Sequence, residues 1–174
     1  SILNFGFMGV PGSDFGSINN TYASYASAMN ANKTDKWNYL SFFNNHDKGS
    51  VFFNGDQGRQ VKAGTALLLA PGGVQIYYGD EYGRANGENG SDKDQGSRSD
   101  YNWNDATGRG AATLAHWQKV GKFRNRHVAI GGGDHANIAA SSGTAFTRVW
   151  GSDKVAVVMG ASGTVEVTVS SVFP

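Results

Sequence analysis

The sequence contains no cysteine among its 174 residues, which excludes disulfide bonds and metal sites built on thiolates. It also has no excess of either charge, and its formal net charge of +1 gives no indication of nucleic acid or an anionic membrane as a partner. No segment approaches the roughly 20 consecutive apolar residues of a membrane-spanning helix. Residues 1–3 have neither a basic start nor a long apolar run, so we do not expect a signal peptide there.

One abrupt change of polarity stands out in the chain. Residues 37–43 form an almost wholly apolar run, and it is followed at once by the polar residues Asn-Asn-His-Asp at 44–47. Such a run is typical of a strand that is buried on both faces of a parallel sheet. The polar residues would then lie at the carboxyl edge of the sheet, where barrel enzymes hold their catalytic groups. The alternative is that Asn-His-Asp only forms the turn at the end of the strand.

A second segment has the same design. Residues 71–83 read Pro-Gly-Gly-Val-Gln-Ile-Tyr-Tyr-Gly-Asp-Glu-Tyr-Gly, which predicts a turn, a short apolar strand and a polar end. Between the two strands, residues 58–70 have the apolar periodicity of a helix. Its predicted inner face consists of Val61, Gly64, Thr65, Leu68 and Leu69. Strand, helix and strand at this spacing predict a βαβ unit with parallel strands.

The flanking segments predict further elements. Residues 2–7 are a candidate strand, residues 9–19 a loop, and residues 22–30 a helix that Asn20 or Thr21 would cap. The inner face of that helix is predicted to hold Tyr22, Ala26 and Met29.

Two segments follow the second strand. Residues 84–110 form a long polar loop, and loops of this length in compact domains are usually functional. Residues 111–126 predict a helix whose inward residues are Leu114, Trp117, Val120 and Gly121.

The glycines at 131–133 mark a change of organisation, because beyond them apolar residues recur at every second position. Residues 145–150, 154–159 and 164–169 predict three strands separated by short turns. This end of the chain therefore predicts an antiparallel sheet.

Taken together, these segments resemble the α-amylase family of glycoside hydrolases. The aromatic strand ending in Asn-His-Asp at 45–47 resembles the last conserved region of that family, and residues 71–83 resemble its final barrel strand. The resemblance implies an α/β part followed by an all-β part. Residues 1–130 would form the C-terminal portion of a (β/α)8 TIM barrel, with strands six to eight, and residues 131–174 a small antiparallel β domain, expected to be truncated.

The resemblance also implies roles for the strand end. Asp47 would stabilise the oxocarbenium-like transition state as a catalytic residue, and His46 would hydrogen-bond the same sugar. Asn45 would hold the loop or, alternatively, contact the sugar. The nucleophile and the general acid of the family lie on strands four and five, upstream of Ser1. Residues 96–100 match the Gly-x-Arg-x-Asp pattern around that nucleophile, but we reject the match because no buried strand precedes it.

Other polar and aromatic residues have two interpretations each. Tyr101 and Trp103 would stack on glucose rings or pack the long loop against the protein. Arg98 would contact sugar or pair with Asp94 or Asp100. Three further sets are expected to be structural or solvated: the strand-end pair Asp80 and Glu81; the acidic loop residues Glu88, Asp92, Asp94 and Asp100; and His116, His127 and His135, which lack the spacing of metal ligands.

The resemblance further implies that this chain is part of a secreted or periplasmic, starch-degrading retaining glycoside hydrolase that cleaves internal α-1,4 bonds. The alternatives are an α-1,6-glucosidase or cyclomaltodextrinase, a transglycosylase of the same family, and a non-catalytic carbohydrate-binding module. An α-glucan and an upstream segment of the same enzyme are the expected partners, since three barrel strands alone leave open sheet edges. We expect no metal site in this chain; the calcium usual in the family would bind upstream residues.

Overall fold

Two three-stranded sheets and five α-helices make up the part of the chain that the computed structural model describes, which is residues 2–31, 36–47, 50–87, 96–170 and 172–173. The helices are α1 (Phe15–Ala31), α2 (Gln57–Leu68), α3 (Trp103–Thr107), α4 (Ala111–Arg126) and α5 (Ala129–Gly132). The strands are β1 (Ile2–Asn4), β2 (Tyr39–Ser41), β3 (Gly73–Val74), β4 (Asp134–Ile138), β5 (Thr144–Trp150) and β6 (Asp153–Met159). Short 3-10 helices span Phe5–Gly12 and Lys36–Asn38.

The first sheet is parallel, with the order β1-β2-β3, and α2 connects β2 to β3. The predicted βαβ unit is therefore confirmed. Its strands are shorter than the apolar runs indicated, because Trp37 lies in a 3-10 helix and β3 contains only Gly73 and Val74. After β3 one more sheet bond forms, from the Gln75 amide to the Ser41 carbonyl at 2.9 Å, before the chain turns.

Helix α1 begins earlier than predicted. The expected caps, Asn20 and Thr21, lie inside the helix, and much of the expected loop 9–19 is helical. Asp14 initiates the helix instead, since its carboxylate accepts bonds from the Ser17 amide at 2.9 Å and the Ser17 hydroxyl at 2.7 Å. The residues predicted for the inner face are confirmed as buried: Tyr22, Ala26 and Met29.

Helix α2 packs against α4 at a point where only glycine fits. A Cβ atom on Gly64 would lie 2.4 Å from the Trp117 ring, so the missing side chain lets the two helices approach closely. The Trp117 indole also donates to the Gln60 carbonyl at 3.0 Å. Of the predicted inner face, Gly64, Leu68 and Leu69 are buried, whereas Val61 and Thr65 are only partly buried. The buried residues of α2 are Gln60, Ala63, Gly64, Ala66, Leu67 and Leu68.

Two arginines bind the carbonyl groups at the C-terminal end of α2. Arg124 donates to the Leu68 carbonyl at 3.0 Å and the Ala70 carbonyl at 2.8 Å, and Arg148 donates to the Leu69 carbonyl at 2.7 Å. Burial lowers the pKa of Arg124 to about 10 and of Arg148 to about 9. Because Arg148 belongs to β5, these bonds join the helix of the first sheet to the second sheet.

The second sheet is antiparallel, with the order β4-β5-β6, and it confirms two of the three predicted strands. The third prediction, a strand at 164–169, is wrong, since the described residues there form only an isolated bridge between Ala140 and Val167. The third strand of this sheet is β4, which pairs with β5. The sequence of β4, Asp-His-Ala-Asn-Ile, lacks a clear alternation and was not predicted. Within the described ranges, no helix is long and apolar enough to cross a bilayer.

Candidate functional site

The end of β2 turns sharply through two asparagines. The Asn45 amide donates to the Asn44 side-chain oxygen at 3.2 Å, and the Asp47 amide donates to the Asn45 side-chain oxygen at 3.1 Å. Both asparagines are buried, whereas the side chains of His46 and Asp47 are 60% and 68% exposed. The turn therefore presents an imidazole and a carboxylate to solvent at the carboxyl edge of the parallel sheet, as the sequence predicts.

Three polar side chains meet at this edge. His46 Nε2 lies 3.2 Å from Asp47 Oδ1, and Arg98 Nη2 lies 3.9 Å from the same oxygen. Arg98 also donates through Nε to the His46 carbonyl at 3.2 Å. Exposed pairs of this kind contribute little to stability, typically below about 1 kcal/mol. Their consequence is geometric, because one carboxylate oxygen has two potential hydrogen-bond donors beside it.

Arg98 was expected to contact sugar or to pair with an acidic residue of its own loop. The structure places it against Asp47 at the strand end instead of beside Asp100. The other expected partner, Asp94, lies outside the described residues.

Beneath the exposed group lies a buried carboxyl, that of Asp80, in the turn after β3. Asn44 donates to Asp80 Oδ1 at 2.9 Å, and the Gln60 side-chain amide donates to the Asp80 carbonyl at 2.6 Å. Burial raises the pKa of Asp80 to about 7, against the lowering effect of the bond from Asn44. The neighbouring Glu81 accepts a bond from the Gly79 amide at 2.9 Å. Asp80 and Glu81 therefore do not form an exposed pair of carboxyl groups.

The polar loop after β3 is held by an arginine that the sequence did not single out. Arg84 is buried and donates to the Ser97 carbonyl at 2.7 Å, the Ser99 hydroxyl at 2.6 Å and the Tyr78 carbonyl at 3.2 Å. These bonds fix the segment on either side of Arg98 and so bring that residue to the strand end. No pattern in the sequence distinguishes Arg84 from an exposed arginine, because its partners are two backbone carbonyls and a serine hydroxyl, which lie 6 to 15 residues away.

The two loop aromatics differ in their surroundings. The Tyr101 ring lies between Tyr82 at 4.9 Å and Trp103 at 4.5 Å, measured between ring centres. Burial, together with the charge of Glu81, raises the pKa of Tyr101 to about 12. Trp103, the first residue of α3, is 73% exposed. Tyr101 therefore has the contacts of a packing residue, and Trp103 has a free face.

The histidines outside the strand end are engaged with other side chains. The contacts of the histidines are His116 with Thr65 at 2.8 Å, His127 with Asp153 at 2.8 Å, and His135 with Asn137 at 2.9 Å.

Of the acidic loop cluster, Glu88, Asp92 and Asp94 lie outside the described residues, and within the described ones no group of three potential metal ligands occurs.

A groove of about 740 Å³ lies between α2, α4 and β6, away from the strand end. None of the residues predicted for the site lines it. The strand-end group lies instead on an open surface, so the groove does not define the site. The candidate site at the strand end consists of carboxylate, imidazole and guanidinium side chains on the edge of a parallel sheet.

Comparison with known proteins identifies the family of the chain, although it does not test the individual strand-end residues. No protein-family model matches the chain. The chain is 48% identical over 128 residues to the periplasmic alpha-amylase of Escherichia coli (strain K12), a match of 74% of this chain and 18% of that protein. This chain thus spans about a fifth of the length of that relative.

Solved structures are also similar to this chain. A cyclomaltodextrinase matches with a TM-score of 0.52 and 27% identity, over 69% of this chain and 20% of that one. The cyclic alpha-maltosyl-(1→6)-maltose hydrolase of Arthrobacter globiformis, solved in complex with maltose, matches with a TM-score of 0.58 and 20% identity, over 88% of this chain and 35% of that one. The latter likeness concerns the fold alone. The chain belongs to the α-amylase family of glycoside hydrolases and corresponds to part of the length of such a protein.

Proposed function

We propose that this chain is part of a retaining glycoside hydrolase that cleaves α-1,4 bonds inside starch and related α-glucans. The observation that carries the proposal is the exposed carboxylate of Asp47 beside His46, at the carboxyl edge of three parallel strands. The 48% identity to a periplasmic alpha-amylase supports it.

In this proposal, Asp47 acts on charge that develops during the reaction. A glycosidic bond breaks through a transition state with positive charge on the sugar ring. A fixed carboxylate beside that ring stabilises the transition state more than the uncharged ground state, which raises the rate. The bond from the Asp47 amide to the Asn45 side-chain oxygen orders the turn that carries the carboxylate before substrate arrives.

The neighbouring residues are proposed to bind the substrate. The imidazole of His46 and the guanidinium of Arg98 can each donate to a sugar hydroxyl, and both are exposed beside Asp47. Asn45 holds the turn, and its side-chain oxygen is already occupied by the Asp47 amide. The nucleophile and the general acid are proposed to come from a part of the enzyme outside this chain.

The architecture that goes with this function is a partial (β/α)8 barrel in residues 1–130 and a small β domain in residues 131–174. The exposed apolar side chains of β1 and the residue after it support the first part: Ile2, Leu3 and Phe5 are each about half exposed at the edge of the sheet. Open apolar strand edges are aggregation-prone, and further barrel strands would cover this one. We propose that an upstream segment of the same enzyme supplies them.

The location, metal content and partners of the enzyme are proposed next. A secreted or periplasmic location is proposed because that protein is a periplasmic alpha-amylase. We propose no metal site in this chain and a calcium site, if the enzyme holds one, on residues outside it. An α-glucan is the proposed substrate, and nucleic acid or membrane is not a proposed partner.

A second candidate within the family is a cyclomaltodextrinase or an α-1,6-specific enzyme. The 27% identity to a cyclomaltodextrinase favours it, although the identity to the alpha-amylase is higher. A non-catalytic carbohydrate-binding module would not require an exposed carboxylate on an ordered turn at the strand end.

A substrate panel tests the proposed function. The complete polypeptide that carries this chain is incubated with soluble starch, pullulan and cyclomaltodextrins, and the first products are observed by proton NMR. We expect rapid cleavage of starch, slower cleavage of the other two, and new reducing ends in the α configuration. Products that first appear in the β configuration, or no cleavage of any of the three, would contradict the proposal.

A separate prediction concerns the exposed face of Trp103. If it stacks on glucose, Trp103→Ala is expected to weaken maltooligosaccharide binding roughly tenfold, or about 1.4 kcal/mol. The melting temperature should hardly change, because the side chain is 73% exposed.

The matched control for that experiment is Trp150→Ala, which removes a half-exposed tryptophan from β5 in the second sheet. Calorimetric titration gives the affinities and differential scanning calorimetry the melting temperatures. A drop in melting temperature for Trp103→Ala without a specific loss of affinity would assign the residue to loop packing.

A further inference from the structure

A series of hydrogen bonds connects the buried carboxyl of Asp80 to the exposed Asp47. Asn44 donates its side-chain amide to Asp80 Oδ1 at 2.9 Å. The oxygen of the same Asn44 side chain accepts from the Asn45 amide at 3.2 Å, and the Asn45 side-chain oxygen accepts from the Asp47 amide at 3.1 Å. The series crosses from the turn after β3 to the turn after β2 and ends on the backbone of the residue proposed to face the sugar.

We infer that Asp80 and Asn44 are positioning residues for Asp47, which fix the turn after β2 so that the Asp47 carboxylate faces the reacting sugar ring. This inference rests on the proposed function and adds two residues that do not touch substrate. Asn44 is almost fully buried and Asp80 nearly so, so neither can bind the glucan directly.

The Asp80 end of the series is itself rigid. Its amide donates to the Tyr77 carbonyl at 3.0 Å, and its carbonyl accepts from the Gln60 side chain at 2.6 Å. Gln60 belongs to α2, so the turn is bonded directly to the helix that connects the two strands. Gly79, with a φ of 88°, allows the side chain of Arg84 to pack on the same turn, since a Cβ atom there would lie 2.6 Å from that side chain. The carboxyl is therefore a fixed acceptor.

Stability alone does not account for a carboxyl at this position. Burying an ionisable group costs free energy, and an apolar side chain of similar volume is often equally stable or better. What an apolar side chain cannot do is accept the Asn44 bond and so set the orientation of that amide. The orientation matters because the other end of the amide accepts from Asn45.

The positioning does not depend on titration of Asp80. A carboxylate accepts through either oxygen, and a protonated carboxyl still accepts through its carbonyl oxygen. Glu81 and Arg84 are the charged groups that influence Asp80, and they act in opposite directions. An asparagine at position 80 retains an acceptor oxygen, whereas an alanine does not.

The test compares Asp80→Ala with Asp80→Asn in the complete enzyme, with Ile130→Val as a control that loosens the core without touching the series. We expect Asp80→Ala to lower kcat ten- to a hundredfold with little change in KM for maltoheptaose, as a misplacement of about 1 Å in a catalytic group does. Asp80→Asn should stay within about threefold of the wild-type kcat, which is the rescue that a positioning role requires.

A second measurement reports on the turn without catalysis. Amide hydrogen exchange of Asp47 should be at least about tenfold faster in Asp80→Ala than in Ile130→Val, because the acceptor for that amide is no longer held. Should Asp80→Ala fail to fold, Asn44→Ala removes the middle of the series and is judged by the same two measurements.

The outcomes separate the two proposals. If Asp47→Asn abolishes turnover but Asp80→Ala matches Ile130→Val in kcat and in exchange at Asp47, the positioning role is overturned and the proposed function stands. An Asp80→Asn variant as impaired as Asp80→Ala would also overturn it. If Asp47→Asn itself leaves kcat unchanged, the proposed function fails.

Discussion

Asp47→Asn in the complete enzyme is expected to lower kcat by about three to four orders of magnitude, because it removes a charge that stabilises the transition state. The amide is nearly the same size, and the side chain is 68% exposed, so the melting temperature should stay within about one degree. His46→Ala should cost less, on the order of ten- to a hundredfold, since a hydrogen bond to a sugar hydroxyl is lost and no charge.

The matched control is Asp134→Asn at the start of β4. Asp134 is also an exposed aspartate with a cationic neighbour, since its carboxylate lies 3.5 Å from Lys36 Nζ. Stopped assays on a maltooligosaccharide give kcat and KM for each variant. Near wild-type kcat in a folded Asp47→Asn enzyme would show that the residue has another role.

The exposure of Asp47 is itself informative about the site. Electrostatic stabilisation of a transition state is strongest where water is excluded. Asp47 is mostly exposed in this chain. To act with full effect, its carboxylate would have to be shielded from water by the substrate and by other parts of the enzyme. The half-exposed apolar edge at Ile2 and Leu3 supports the same conclusion from the packing side.

The sequence predicted the parallel βαβ unit and the strand-end group, because both depend on local patterns. An apolar run that gives way to polar residues at Asn44 predicts a strand end near that point, although β2 itself ends at Ser41, and parallel strands bring their carboxyl ends to one edge. That placement brings His46 and Asp47 to the edge, but their exposure is seen only in the structure, because Asn44 and Asn45 beside them are buried. The alternation of apolar residues likewise predicted β5 and β6.

The errors concern the second sheet and the faces or ends of two helices. Residues 164–169 alternate like a strand, but among the described residues they form only the bridge between Ala140 and Val167. In α2, Gly64, Leu68 and Leu69 of the predicted inner face are buried, but Val61 and Thr65 are only partly buried. In α1 the error is local, since Asp14 caps the helix before either of the expected residues.

The hydrogen bonds that hold the site in place could not be predicted from the sequence either. Arg84 and Arg98 bind backbone carbonyls, which carry no residue-type signal. The bond between Asn44 and Asp80 joins residues 36 positions apart. Adjacent carboxyls at 80 and 81 were expected to be structural because strand neighbours point apart; their contacts are structural, but they lie in a turn after β3.

Catalytic competence requires more than this strand end. A retaining glycosidase needs a nucleophile and a general acid whose carboxyl groups lie about 5–5.5 Å apart across the scissile bond. Of the carboxyls near Asp47 in the described residues, Asp80 is buried and bonded to Asn44, and Glu81 is bonded to the Gly79 amide. Both carboxyls are thus engaged in bonds within the protein, which does not favour either as a nucleophile.

The isolated chain is therefore expected to show no turnover of soluble starch, whereas the complete enzyme should hydrolyse it at an ordinary enzymatic rate, roughly 1–10³ per second. The chain is purified without any upstream segment, its fold is checked by circular dichroism, and reducing ends are counted over hours to detect slow cleavage. Adding back the upstream segment as a separate polypeptide should restore part of the activity, since the apolar edge at β1 would then be covered. Enzyme-like turnover by the isolated, folded chain would show that its own carboxyls suffice, and would transfer the catalytic roles to residues within it.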